Sequence, residues 1–151
     1  MSRGMNELAN IISLTVLSSY IIPSLMYLGT SNGWFMKLLG GLFATNVGIE
    51  LVKPLFGSRG WLGRPAGATG CDAFCGGGSV GGRPGFPSGH MANVTMLVSA
   101  LWLRLQSPAV LVVGVPWIAA MAWARRRKRC HNWQQIVAGT VVGLVCGYIA
   151  H

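Results

Sequence analysis

The stretch GRPGFPSGHMAN, Gly82 to Asn93, lies where a connection rich in glycine and proline gives way to a new apolar run. Glycine and proline punctuate regular structure, and a Ser placed just before an apolar run signals a helix start. Ser88 is therefore expected at a helix N-cap, with Pro87 before it and His90 in the first turn. A histidine there is open to three readings: a buried polar group, a metal ligand or an acid. Nothing local decides between them, so the choice falls to the rest of the chain.

Outward from that stretch, apolar runs occupy 8–28 and 34–56 on one side and 91–105, 109–124 and 134–150 on the other. A hydrocarbon core of about 30 Å takes about 20 helical residues to cross. The last three runs are short or broken by Pro108, Pro116 and glycines, which suits helices packed on one another rather than isolated in lipid. The expectation is an all-α fold, a polytopic membrane bundle of about five transmembrane helices forming a single domain over 1–151. Its one long connection, 57–87, carries eleven glycines. A loop of that length in so small a domain is functional or disordered.

Composition agrees, with 52% hydrophobic and 10% charged residues. A formal charge of +9 on a soluble protein would suggest nucleic acid. Here the basic residues gather at the ends of apolar runs, with no aromatic-rich polar surface on which bases could stack. No nucleic acid partner is expected, because phosphate on a lipid or small molecule satisfies the same charge. The first run is full length and follows Glu7, unlike a cleavable signal peptide. Four cysteines are too few for a disulfide scaffold. A local bridge between Cys71 and Cys75 in an oxidising compartment is favoured over free thiols. A zinc set would have to add Cys130 and His131, and no metal is expected.

If the helices cross alternately, Lys53, the long loop, His90, Arg125 and His131 share one membrane face. Convergence of cations and two histidines at one end of a bundle suits phosphoryl transfer, which needs cations on the equatorial oxygens, an in-line nucleophile and a proton for the leaving oxygen. Lys53, Arg64 and Arg125 are the cations. Ser88 and the backbone N–H groups of Gly89 and His90 would meet the same anion at the positive end of the helix dipole. The two histidines would divide attack from protonation. Glu50, one turn before Lys53, is its expected salt-bridge partner. Gln135 fits the third helical position of a capping box behind Asn132.

PSGH (Pro87–His90) and, some forty residues on, ARRRKRCHNWQQIVAG (Ala124–Gly139) resemble the second and third signatures of the type 2 phosphatidic acid phosphatase family. Arg125 and His131 keep the third signature's spacing, whereas Ala124 stands where Ser is usual and Gln135 where Asp is usual. The pattern of His131, Trp133, Gln135 and Ile136 resembles the dolichyl-diphosphatase branch, which implies polyprenyl diphosphate as substrate alongside other lipid phosphates. The first signature is distorted: from Lys53, Arg59 comes one residue early and Arg64-Pro65 four late. Arg64 is favoured because Arg-Pro is intact and leads into a loop resembling compact members encoded by large DNA viruses.

The resemblance implies a membrane lipid phosphatase that uses no metal or cofactor. In it His131 forms a phospho-histidine, His90 protonates the leaving oxygen, and Lys53, Arg64, Ser88, Gly89 and Arg125 bind phosphate. Gln135 would orient His131 in place of Asp; for that its amide oxygen must face the ring, and Gln135→Asp is expected to keep or raise turnover. Asp72 is the other carboxylate that could take that role. The implied membrane is of the endoplasmic reticulum or the interior of a virion. The positive-inside rule would put the site on the cytosolic face; the family's habit and a Cys71–Cys75 bridge favour the lumenal or outer face. The rival reading is a structural membrane protein that keeps the fold without turnover.

Overall fold

The computed structural model describes residues 3–151 and contains helices and loops, with no strand among the described residues. Helix α1 (Arg3–Leu14) passes through a 3-10 turn (Thr15–Leu17) into α2 (Ser18–Thr30). Then come α3 (Gly33–Phe56), α4 (Gly89–Leu105), α5 (Pro108–Arg127) and α6 (Trp133–Ala150). Among the described residues four rods are long and apolar enough to cross a membrane: Gly4–Thr30, α3, α5 and α6. The fifth expected span, α4, has 17 residues and is the central post of the bundle, with every side from Gly89 to Val98 buried. The other rods lean on it, so its length is set by packing rather than by lipid.

The outer surface carries the complementary signal. Leu25, Leu28, Leu55, Val112, Val145 and Ile149 are all more than half or nearly half exposed to the surroundings. Apolar surface on that scale does not face water in a stable monomer, whereas helices with satisfied backbones can present it to lipid. The chain is a multi-pass integral membrane protein.

Two sets of contacts fix the helices relative to the site. Gly139, Gly143 and Gly147 recur along one stripe of α6 and let it press against α4. A Cβ on Gly143 would lie 2.7 Å from Thr95 Cβ and 3.0 Å from the Met96 nitrogen, so the backbones meet only because side chains are missing. On the other side Leu38 and Leu42 of α3 pack with Met96 and Leu97 of α4. At the far end Trp34 Nε1 donates to the Ala150 carbonyl at 3.0 Å. That pins the start of α3 to the end of α6, so Lys53 and the start of α6 share the opposite end of the bundle.

The connection between α3 and α4 is ordered by its own backbone. Arg64 N–H donates to Arg83 O at 2.9 Å, Gly82 N–H to Arg64 O at 3.1 Å, and Val80 N–H to Ala68 O at 2.9 Å. Asp72 closes a tight turn by accepting from the N–H groups of Phe74, Gly76 and Gly77. These bonds hold its carboxyl below the usual carboxylate range, the Gly76 N–H contributing most. The disulfide expected between Cys71 and Cys75 does not form. Cys71 is bonded to Cys130, and Cys75 is a free thiol. The Asp72 turn explains the difference: it swings Cys75 toward α1, where its Sγ lies 3.7 Å from the Asn10 carbonyl, and leaves Cys71 facing the α5–α6 junction.

Candidate active site

Each segment predicted to meet at one end does so. Lys53 arrives on the last turn of α3, His90 on the first turn of α4, Arg125 on the last turn of α5, and His131 just before α6. A cavity of about 610 Å³ opens beside them, lined by Lys53, Arg64, Gly89, His90 and His131, while Arg125 and Ser88 have no exposed surface and do not line it. It continues past this polar end along Val16, Leu17, Tyr20, Phe43, Asn46 and Asn93. Glu50 also lines it and forms an ion pair with Lys53, as its spacing suggested.

The α6 entrance has the tightest geometry. Asn132 caps the helix, accepting from Gln135 N–H at 3.0 Å, while its own N–H donates back to Gln135 Oε1 at 3.4 Å. The same oxygen lies 2.9 Å from His131 Nδ1. Gln135 Nε2 points the other way, donating to the carbonyls of Trp61 at 2.9 Å and Gly63 at 2.7 Å. Carbonyls only accept, so the NH₂ must face them and the oxygen must face the ring. His131 Nδ1 then carries the proton, and Nε2 is unprotonated, its lone pair facing Arg64 Nη1 at 3.4 Å. His131 is 2% exposed. Burial, followed by the charges of Arg125 and Arg64, holds its imidazole well below the ordinary value of 6.5. The ring is neutral across the physiological range.

Arg64 and Arg125 occupy matching positions. Arg64 Nη1 also donates to the Cys130 carbonyl at 3.1 Å, and burial lowers its guanidinium's pKa. Arg125 has no exposed surface; its Nη2 donates to the Cys71 carbonyl at 2.7 Å and its Nη1 to His90 Nε2 at 3.3 Å. Since a guanidinium never accepts, His90 receives this bond and, when neutral, keeps its proton on Nδ1. Lys53, Arg64 and Arg125 thus bring three positive charges to one end of the bundle, where Glu50 is the carboxylate paired with one of them. The Asp72 carboxylate at the rim is already engaged by its own loop. Buried positive charge without compensation favours an anion.

Arg59 is exposed and does not line the cavity, whereas Arg64 does, so Arg64-Pro65 supplies the loop cation. Ser88 does hold the N-cap position of α4, but its hydroxyl makes no capping bond, contrary to expectation. It is buried and unpartnered, pressed against Gly139 of α6. Its N–H instead donates to the Gln135 carbonyl at 3.1 Å, joining the two helix starts. Several contributors escaped the sequence reading. The carbonyls of Cys71, Cys130 and Trp61 leave no trace in residue identity. Asn93, whose Nδ2 donates to Tyr20 Oη at 2.7 Å, did leave one, being an amide inside an apolar run.

A membrane bundle whose end gathers buried cations and two histidines beside a cavity defines a class: integral membrane proteins with an anion site at one end of a helical bundle. The chain matches the PAP2 superfamily over residues 34–151, and it belongs to that family. Members of this superfamily are phosphatases, and their substrates are lipid phosphates in membranes. No curated protein and no solved structure matches the chain significantly.

Proposed function

We propose that this protein is a lipid phosphatase working through a phospho-histidine, with polyprenyl diphosphate as its preferred substrate. The observation that carries the reading is the orientation of Gln135, oxygen toward His131 Nδ1 and NH₂ toward two backbone carbonyls. It leaves His131 Nε2 unprotonated and beside Arg64. In the first step Nε2 bonds to phosphorus as the bond to the lipid-side oxygen breaks, and His90, which takes up a second proton once the phosphate's negative charge lies beside it, gives that proton to the leaving oxygen and is left neutral. Water then attacks the phospho-histidine, His90 takes a proton from it, and inorganic phosphate leaves. Lys53, Arg64 and the Gly89 N–H hold the charged oxygens through both steps, and Arg125, buried behind His90, adds its charge from the wall of the site. The side chains supply the needed charge, so no metal is invoked.

The preference for diphosphate rests on the run from His131 to Ile136, which resembles the dolichyl-diphosphatase branch. The host membrane we favour is that of the endoplasmic reticulum or a virion interior, with the site on the oxidising side, where the Cys71–Cys130 bridge would persist. Ala124, in the place of the usual Ser, favours the alternative of a structural protein without turnover. Phosphate release by the purified protein in detergent, from polyprenyl diphosphate and from phosphatidate, separates these readings. Release that is lost in His131→Ala supports the enzyme, and a faster rate on the diphosphate supports the substrate preference. No release from either lipid, with no acid-labile phospho-protein, would overturn it.

A further inference from the structure

The two half-cystines do more than tie a loop down. Arg64 Nη1 takes the Cys130 carbonyl at 3.1 Å and reaches His131, while Arg125 Nη2 takes the Cys71 carbonyl at 2.7 Å and reaches His90. Each guanidinium is thus held by one half-cystine and directed at one histidine. The bridge joins these two supports across 59 residues of sequence. We infer that the Cys71–Cys130 disulfide is the positioning element of the phosphate site, fixing the separation of Arg64 and Arg125 through its two carbonyls. This rests on the phosphatase reading above and adds the device that holds its cations.

The physical argument is one of lost freedom. A guanidinium on a rotatable stem binds a phosphate tightly only when its position is settled beforehand. Arg125 is locked by full burial, but the Cys71 carbonyl that receives it sits on the α3–α4 loop rather than on a helix. Arg64 itself is on that loop, and the Cys130 carbonyl that receives it is at the α5–α6 junction. The two arginines are therefore crossed: each is bonded to the segment that the other, or the other's helix, belongs to. Without the covalent link, both bonds would rely on the same loop staying docked. Cys130 and Cys71 are buried together with Ala68, and Cys71 also lines the cavity, which gives a reductant its approach to the bridge.

The test uses the full chain in detergent and inorganic phosphate as the probe, its inhibition constant being measured against turnover of the lipid substrate. In the paired variant Cys71→Ala/Cys130→Ala the inhibition constant and KM should rise about tenfold, the equivalent of one poorly placed charge-assisted hydrogen bond, with a smaller change in kcat. Combined with Arg64→Ala, the paired change should weaken phosphate by clearly less than it does alone, because a support is lost that no longer supports anything. Cys75→Ser/Cys146→Ser, the free thiols, should leave both constants unchanged.

Should the paired variant fail to fold, wild-type protein reduced by a water-soluble phosphine serves instead. The phosphine takes the oxygen of one water and becomes its oxide, the two sulfurs take that water's protons and become thiols, and thiol titration verifies the opening while phosphate inhibition is read. Unchanged phosphate inhibition in a folded, bridge-free protein would overturn the inference, as would full additivity with Arg64→Ala. Absence of turnover in the wild type would instead overturn the phosphatase reading itself.

Discussion

Gln135→Leu isolates the part of the site on which the chemistry depends most. Leucine keeps the helix and much of the volume but removes four polar contacts: the His131 bond at 2.9 Å, those to Trp61 O at 2.9 Å and Gly63 O at 2.7 Å, and the return bond of the capping box. Trp61 O retains Asn132 Nδ2 at 2.7 Å. The Gly63 carbonyl and the His131 ring N–H lose the partners named here. At about 1–3 kcal/mol for each buried unsatisfied group, the fold should lose roughly 2–6 kcal/mol. The effect on rate should be larger, because nothing then fixes which ring nitrogen carries the proton. The wrong tautomer in a comparable catalytic arrangement costs about 10⁴ in rate.

The structure also alters the expectation for Gln135→Asp. A carboxylate can accept from His131, but it has no NH₂ for the two carbonyls and would turn lone pairs toward them. Asp is also a methylene shorter, so either the ring or the carbonyls must be abandoned. Turnover should fall in Gln135→Asp rather than rise, by less than in Gln135→Leu because the ring acceptor can be kept. Single-turnover phosphate release and trapping of acid-labile phospho-protein, alongside thermal unfolding in detergent, measure both effects. A Leu variant with wild-type rate at saturating substrate would refute the reasoning and reduce Gln135 to a helix cap.

His131→Ala should abolish both turnover and the acid-labile phospho-protein, whereas His90→Ala should slow loss of a poor leaving group by about 10²–10⁴; a phospho-protein surviving in the His131 variant would reassign the nucleophile. Gly143→Ala should destabilise the bundle by about 1–3 kcal/mol because the added methyl meets Thr95 and Met96 of α4. Gly40→Ala, with nothing within 4 Å of its added methyl, should not, and equal melting shifts for the two would contradict the α4–α6 packing. His131 has its folded pKa below the 6.5 at which the unfolded chain titrates. Below that pH the unfolded chain takes up a proton that the fold refuses, so stability should fall as pH drops through about 6.5 and stay level with respect to this group above it. In His131→Asn that acid-side slope in the melting temperature should shrink, and an unchanged slope would remove His131 as its source.

The features legible in the sequence were those set within a few residues or by the solvent. Apolar runs gave five helices, since lipid and packing both demand them, and alternate crossing of those runs brought Lys53, His90, Arg125 and His131 to one end. Glu50 with Lys53, and Asn132 with Gln135, were readable because helix geometry fixes partners three positions apart. Tertiary structure alone decided the rest. Arg64 rather than Arg59 reaches His131 because the loop's path is set by bonds between distant backbone groups, such as Arg64 with Arg83. Cys71 meets Cys130 because the Asp72 turn sends its near neighbour, Cys75, the other way, an outcome that four-residue spacing cannot encode. Gln135 takes its orientation from two carbonyls on a loop more than seventy residues away in sequence. Sequence names the groups that must meet; where a backbone oxygen lies decides which way each one faces, and only the folded chain puts it there.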